Sequence, residues 1–199
     1  GNTFGVVPSK RVVYLPVVTM NYPPIIIFNG GFEDRWTGWR HDGELAQAVT
    51  SANWSSGNFS ALLGDPNYEC AGGVPAGSAW VEQTVVIPSS VTSPTLYFRY
   101  NIFTQDKNPF LQDEYDRFDV KVGNTLVFSD ARRTGQYGCT LADLDLQWKG
   151  GKVDLSAYSG QQITIRFENR STSDYEPAFG WYNTWTFVDN VRIEPANGW

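Results

Sequence analysis

Between Ile25 and Ile193, apolar residues recur at every second position in short runs, and clusters of Gly, Pro, Asn, Asp and Ser separate the runs. A period of two places successive side chains on opposite faces of an extended chain, so each run is a strand with one face turned to a core. Val81, Gln83, Val85 and Ile87 alternate with Glu82 and Thr84 before Pro88-Ser89-Ser90 turns the chain. Leu96, Phe98, Tyr100 and Ile102 form one face of the next strand, and Phe118, Val120 and Val122 one face of another, with Gly123-Asn124 as a hairpin turn into Leu126-Val127-Phe128. Leu144, Leu146 and Trp148, then Ile163, Ile165 and Phe167, then Phe187, Val191 and Ile193 continue the pattern, and Val153 to Tyr158 reads as a turn before the Gln161 strand. Eight or more such strands without a helical period predict an all-β chain, built as a two-sheet antiparallel β-sandwich. The composition agrees: aromatics are 15%, charged residues only 18%, with 19 Gly and 11 Pro to make turns.

The 199 residues suffice for one domain with an extension. Residues 1–24 are apolar and Pro-interrupted, from Arg11-Val12-Val13-Tyr14-Leu15-Pro16 to Tyr22-Pro23-Pro24, and form a linker or an edge segment; residues 25–199 are the sandwich domain. With 15 Lys and Arg against 21 Asp and Glu, the net charge of −6 argues against nucleic acid or an anionic membrane surface as partner. Uninterrupted apolar runs such as Ile25 to Phe28 fall far short of the roughly 20 residues that a membrane-inserted helix needs. No basic segment followed by an apolar one opens the chain, so any secretion signal is expected to have been removed. Cys70 and Cys139 lie in turn-rich segments without metal-ligand spacing; a single disulfide between two loops, in an oxidising compartment, is expected, with a pair of free thiols as the alternative.

Few residues carry recognisable chemistry. On the last strand Phe187, Asp189, Val191 and Ile193 share a parity, which assigns Asp189 an interior position where a carboxylate needs a partner. Asn29-Gly30-Gly31-Phe32-Glu33 sets a second carboxylate in a glycine-rich loop. Two carboxylates with loop carbonyls suit a hard cation such as calcium; two hydrogen-bonded carboxylates capping turns are the other reading. In the acidic run Asp113-Glu114-Tyr115-Asp116-Arg117-Phe118-Asp119, Asp116 and Asp119 differ by an odd number and face opposite sides of a strand, so the run does not form a glycosidase pair. His41 is the single histidine, which excludes multi-histidine zinc sites, and no nucleophile elbow, HExxH or phosphate loop is present. A non-enzyme is expected.

The Asn29-Gly30-Gly31-Phe32-Glu33 segment with Trp36 and Gly38-Trp39 after it, then Gly57-Asn58-Phe59-Ser60-Ala61-Leu62, and finally Phe187-Val188-Asp189-Asn190-Val191-Arg192-Ile193 resemble the jelly-roll carbohydrate-binding modules of the family 4/9/22 type and the related MAM-like domains. The resemblance spans roughly residues 28–193 and implies a galactose-binding-domain-like jelly-roll sandwich. It further implies a structural calcium joining the start of the domain to its last strand, held by Glu33 and Asp189 with carbonyls at Ser56 or Asn58. It implies an accessory module that binds polysaccharide or glycan, extracellular or at the cell surface, in a larger multidomain secreted protein. An adhesion or interaction domain of a secreted protein or peptidase, binding protein, is the alternative.

Sugar binding needs flat aromatic faces with a few polar groups to fix hydroxyls. Tyr68 and Tyr137 flank the cysteines, and Trp181, Tyr182 and Arg170 are placed to complete a rim from the last long loop, so these five residues are the expected ligand patch. A row of Arg99, Asp119, Arg166 and Glu168 across a polar sheet face is a second candidate, since a concave face of this kind carries the glycan groove in the resembling modules; cross-strand ion pairs are its plainer reading.

Overall fold

The computed structural model describes residues 27–66, 76–104, 116–130, 145, 147–171, 175–176, 180–181 and 183–196. The strands are β1 (Arg40–Gly43), β2 (Gln47–Thr50), β3 (Ser60–Leu63), β4 (Gly77–Val86), β5 (Pro94–Thr104), β6 (Arg117–Val122), β7 (Thr125–Asp130), β8 (Lys149–Asp154), β9 (Gln162–Ser171), β10 (Tyr175–Glu176), β11 (Gly180–Trp181) and β12 (Thr184–Pro195). They form a first sheet in the order β1-β4-β9-β6-β7, a second in the order β2-β3-β12-β5-β8, and a small β10-β11 hairpin. Every paired strand is antiparallel. Among the described residues there is no α-helix, only a 3-10 turn at Ser156–Tyr158, and no helix long and apolar enough to cross a membrane. The architecture is the two-sheet sandwich that the alternation predicts.

The core lies between the sheets. Val81 and Val85 of β4, Phe118, Val120 and Val122 of β6, and Ile163, Ile165 and Phe167 of β9 meet Leu96, Phe98, Tyr100 and Ile102 of β5 with Val188, Val191 and Ile193 of β12. Phe98 sits at the centre, its ring 5.2 Å from Phe128, 5.2 Å from Phe167 and 6.2 Å from Phe118. Fully burying a side chain of this size contributes about 1.5–3 kcal/mol. Gly151 of β8 is required by the same ring, because a Cβ there would overlap it. Leu144 and Leu146 lie outside the described residues; Asp145 makes an isolated bridge to Phe103, and regular pairing of β8 begins at Lys149.

Two features of the chain place the functional residues. The loop Asn29-Gly30-Gly31-Phe32-Glu33 is pinned to β12, where the Val191 N–H donates to the Gly30 carbonyl at 2.8 Å, so closely that a Cβ at residue 30 would overlap the Val191 carbonyl oxygen. Phe32 is fully buried, and Gln83, an interior position of β4, holds the segment from below: its Oε1 accepts from the Phe28 N–H at 2.9 Å and its Nε2 donates to the carbonyls of Phe28 and Gly38.

The second feature is a β-bulge in β12. Asp189 pairs with Arg99 and Arg192 with Tyr97, so one extra residue stands on β12, and Asn190 takes φ 51° there. Asn tolerates that left-handed conformation better than most residues. The extra residue exchanges the faces of the strand. Val188, Val191 and Ile193 join the core between the sheets, whereas Trp185 and Phe187 belong to a separate cluster with Leu62, Phe103 and Trp148 on the outside of the second sheet. Asp189 lies on that outer side with Phe187, not in the interior with Val191 and Ile193 as its parity in the sequence suggests.

Candidate functional site

The outer face of the second sheet carries two adjoining structures, both shaped by the loop 51–59 between β2 and β3. The first is a carboxylate clamp. Asp189 is fully buried, and its Oδ2 accepts from the backbone N–H of Ser55 at 2.9 Å and of Ser56 at 2.8 Å, while Oδ1 accepts from the Asn190 N–H at 2.5 Å. The exposed Glu33 accepts through Oε1 from the N–H groups of Asn58 at 2.8 Å and Phe59 at 3.1 Å, and through Oε2 from Asn58 Nδ2 at 3.4 Å. Gly57, at φ +68°, turns the loop between the two carboxylates, and a Cβ there would overlap Glu33 Oε1.

The clamp is electrostatically uneven. The Asn58 N–H foremost holds the Glu33 carboxyl below its ordinary range, whereas burial foremost pushes Asp189 up, helped by the nearby Glu33 charge and opposed by the amides of Ser56, Ser55 and Asn190. Among the described residues, neither carboxylate has a Lys or Arg nitrogen within 4.0 Å. Gly31 adjoins both: a Cβ built on it would stand 3.7 Å from Asp189 Oδ1 and 3.9 Å from Glu33 Cγ. Two hard oxygen donors, one buried without a cationic partner, are the donor chemistry that suits calcium. Glu33 and Asp189 are brought together as the sequence suggests. Ser56 and Asn58 meet them through their backbone N–H groups.

The second structure is an aromatic pocket of about 490 Å³ beside the clamp. Its floor is Leu62, Phe103, Trp185 and Phe187; Phe103 and Trp185 are register partners on β5 and β12, and their rings stack at 5.4 Å with 9° between planes. Thr50 of β2 with Ala52 and Asn53 of the loop form one wall, and Pro66 and Asp145 complete the lining. Asn53 Oδ1 accepts from Trp148 Nε1 at 2.8 Å, and Asp145 accepts from the backbone and side-chain amides of Gln147 at 2.8 and 2.9 Å. On the same sheet face, Asn101 stands across from Phe187 with 1% exposure, and its Oδ1 has no hydrogen-bond partner among the described residues. An apolar floor with convergent polar groups is the usual make-up of a small-molecule site.

The residues expected to form the ligand patch are placed elsewhere or lie outside the described set. Tyr68, Tyr137 and Tyr182 lie outside the described residues, as do Cys70 and Cys139 of the expected disulfide. Trp181 is in β11, paired with Tyr175, and only its backbone is described. Arg170 is exposed at the end of β9 on the first sheet, directly across from Arg117. Sequence reasoning missed the pocket floor because Phe187 shares the parity taken as interior; the signal was Thr184-Trp185-Thr186-Phe187-Val188, where aromatic and β-branched residues occupy both faces.

The polar row across one sheet also needs correction. Asp119, Arg166 and Glu168 share the outer face of the first sheet, but Arg99 is on the second, where its Nε donates to Ser55 Oγ at 3.3 Å. Across β6 and β9 like charges stand opposite one another, Asp119 with Glu168 and Lys121 with Arg166. Neighbours compensate: Arg117 pairs with Asp119 at 3.0 Å, Lys121 with Glu168 at 2.8 Å, and Arg166 with Glu82 at 2.7 Å while lying 4.0 Å over the Trp80 ring. These charges form ion pairs within β6 and between neighbouring strands of the first sheet. His41 stacks on Trp36 at 4.3 Å, and its Nδ1 faces Gln47 Oε1.

No family model matches the chain, and neither does a curated protein. Solved structures do. The carbohydrate-binding module TmCBM61, solved in complex with β-1,4-galactotriose, superposes with a TM-score of 0.55 at 15% identity, over 86% of this chain and 98% of that one. A cleaved adhesin domain of Lys-gingipain from Porphyromonas gingivalis gives 0.53 at 14% identity, over 86% and 99%. A second such domain gives 0.51 at 11% identity, over 81% and 92%. At these identities the likeness is one of fold. The chain has the jelly-roll β-sandwich fold found in carbohydrate-binding modules and adhesin domains.

Proposed function

We propose that this chain is a non-catalytic carbohydrate-binding module that works outside the cell or at its surface, as part of a larger secreted protein, and that takes a sugar in the pocket on the outer face of the second sheet. The observation that carries the reading is the pocket itself: stacked Phe103 and Trp185 with Phe187 below, and Asn53, Asp145 and Thr50 around them. Aromatic faces complement the C–H faces of a pyranose, and the rim offers donors and acceptors for its hydroxyls. In this reading calcium is held by the carboxylates of Glu33 and Asp189, and its contribution is structural, tying the start of the domain to its last strand.

A screen of immobilised glycans that includes β-1,4-galactan tests the proposal. Retention lost in Asn53→Ala but kept in Trp181→Ala and Tyr182→Ala places the ligand in the pocket. The reverse pattern moves it to the loop patch of Trp181, Tyr182, Tyr68, Tyr137 and Arg170. A protein that no glycan retains is instead an adhesion or interaction domain with a protein partner.

A further inference from the structure

Loop 51–59 has two working sides. Residues at its start, Ala52 and Asn53, line the pocket together with Thr50 of β2; the following residues carry the amides that Asp189 and Glu33 hold. Between the two sides the loop is stitched to itself and to the sheet. The buried Ser60 donates its hydroxyl to the Asn53 carbonyl at 2.5 Å, and Arg99 holds Ser55 Oγ. Trp148, arriving from the start of β8, meets the loop at Asn53 Oδ1. The polar wall of the pocket is therefore a property of the loop, and the loop is fixed to the sheet on its far side by a buried carboxylate.

We propose that Asp189 is a positioning residue for the pocket. By holding the N–H groups of Ser55 and Ser56 it sets where Asn53 stands, and with it the Trp148 indole, so that the clamp and the pocket are energetically coupled. The coupling is reciprocal: whatever tightens the clamp raises the affinity of the pocket, and a ligand in the pocket tightens the clamp. The proposal rests on the pocket being the ligand site only for its functional consequence, since the coupling itself belongs to the loop.

The test reads the Trp148 indole N–H by NMR in the full chain, its resonance assigned with Trp148→Phe. Asp189→Ala is expected to move that resonance toward the position of a solvent-exposed indole and to speed its hydrogen exchange at least tenfold. Gly57→Ala, which strikes Glu33 instead, is expected to do the same to a smaller degree, and Asp189→Asn, which keeps an acceptor, to restore most of the native signal. Asp154→Ala, at a carboxylate that among the described residues bonds only Ser156, is the control for general destabilisation and is expected to leave the resonance in place. An indole unmoved in Asp189→Ala, or moved equally in Asp154→Ala, overturns the proposal; if Asp189→Ala does not fold, Gly57→Ala decides it by the same criterion. Glycan retention measured in parallel separates the two ideas: an indole that follows Asp189 in a protein retaining no glycan leaves the coupling standing and removes the pocket as a sugar site.

Discussion

Arg99 and Asp189 stand opposite each other in the register of β5 and β12, yet they act through a third residue: Arg99 Nε donates to the Ser55 hydroxyl at 3.3 Å, and Asp189 Oδ2 accepts from the Ser55 N–H at 2.9 Å. Ser55 is thus held from both strands. The loop that would otherwise leave the sheet after β2 is folded back over it, and the pocket wall follows from that closure.

Asp189→Ala strands the amides of the half-buried Ser55 and the exposed Ser56, whose bonds to Asp189 are partly buried, and a donor left without an acceptor away from water costs about 1–3 kcal/mol. The expected loss in a urea melt is about 3 kcal/mol, and roughly half of that for Asp189→Asn. A loss below about 1 kcal/mol would mean that water replaces the carboxylate freely and that the loop is not anchored there.

Calcium bound only by the folded protein must raise its stability by linkage. At a concentration one hundred times its dissociation constant it adds about 2.7 kcal/mol, which for a chain of this size is a rise of roughly 5–10 °C in Tm. The rise is expected in the wild type, reversed by a chelator and absent in Asp189→Ala. A Tm that ignores calcium would leave Glu33 and Asp189 as carboxylates satisfied by loop amides alone.

Gly151→Ala places a methyl group against the Phe98 ring at the centre of the core. Overpacking of this kind costs about 1–3 kcal/mol, so Tm is expected to fall by roughly 3–10 °C. Gly123→Ala is the comparison, since a Cβ there meets nothing within 4 Å and the cost is confined to its φ of +57°.

The acid limb of the stability curve has identifiable contributors. The Ser156 hydroxyl foremost, then its N–H, holds Asp154 below its ordinary range, and the Ser78 N–H foremost does the same for Glu44. A carboxyl lowered on folding contributes stability that is present above its unfolded pKa and lost as the pH falls through its folded one. Asp154→Asn with Glu44→Gln is therefore expected to flatten the decline of Tm on the acid side while leaving the curve above pH ~6 parallel to that of the wild type. An unchanged acid limb would show that these bonds persist in the protonated state.

Much of this architecture is legible in the sequence because period-two alternation is a direct imprint of a half-buried sheet. β4, β5, β6 and β9 follow from their alternation, and the hairpin from Gly123-Asn124. The convergence of Glu33 and Asp189 follows from a resemblance. What alternation cannot carry is a change of phase. The bulge at Asn190 reverses which parity faces inward, and its trace is the spacing of Val188 and Val191, three apart and both in the core. Nor can alternation tell an aromatic on the outer face from one in the interior. Trp185 and Phe187 are as buried as core residues, but loop 51–59 and the neighbouring strands bury them rather than the opposite sheet.

The most direct measurement is isothermal titration with soluble polysaccharides, β-1,4-galactan among them, of the wild type, Asn53→Ala and Asp145→Ala. Both positions are partly exposed; Asp145→Ala is expected to leave Tm nearly unchanged, and Asn53→Ala, which frees the Trp148 indole N–H, to lower it by a few degrees while the fold is kept. The expected result is binding by the wild type that weakens at least tenfold in each variant. Equal affinity in all three proteins would contradict the assignment of the pocket, and a wild type that binds no polysaccharide would contradict the carbohydrate reading itself.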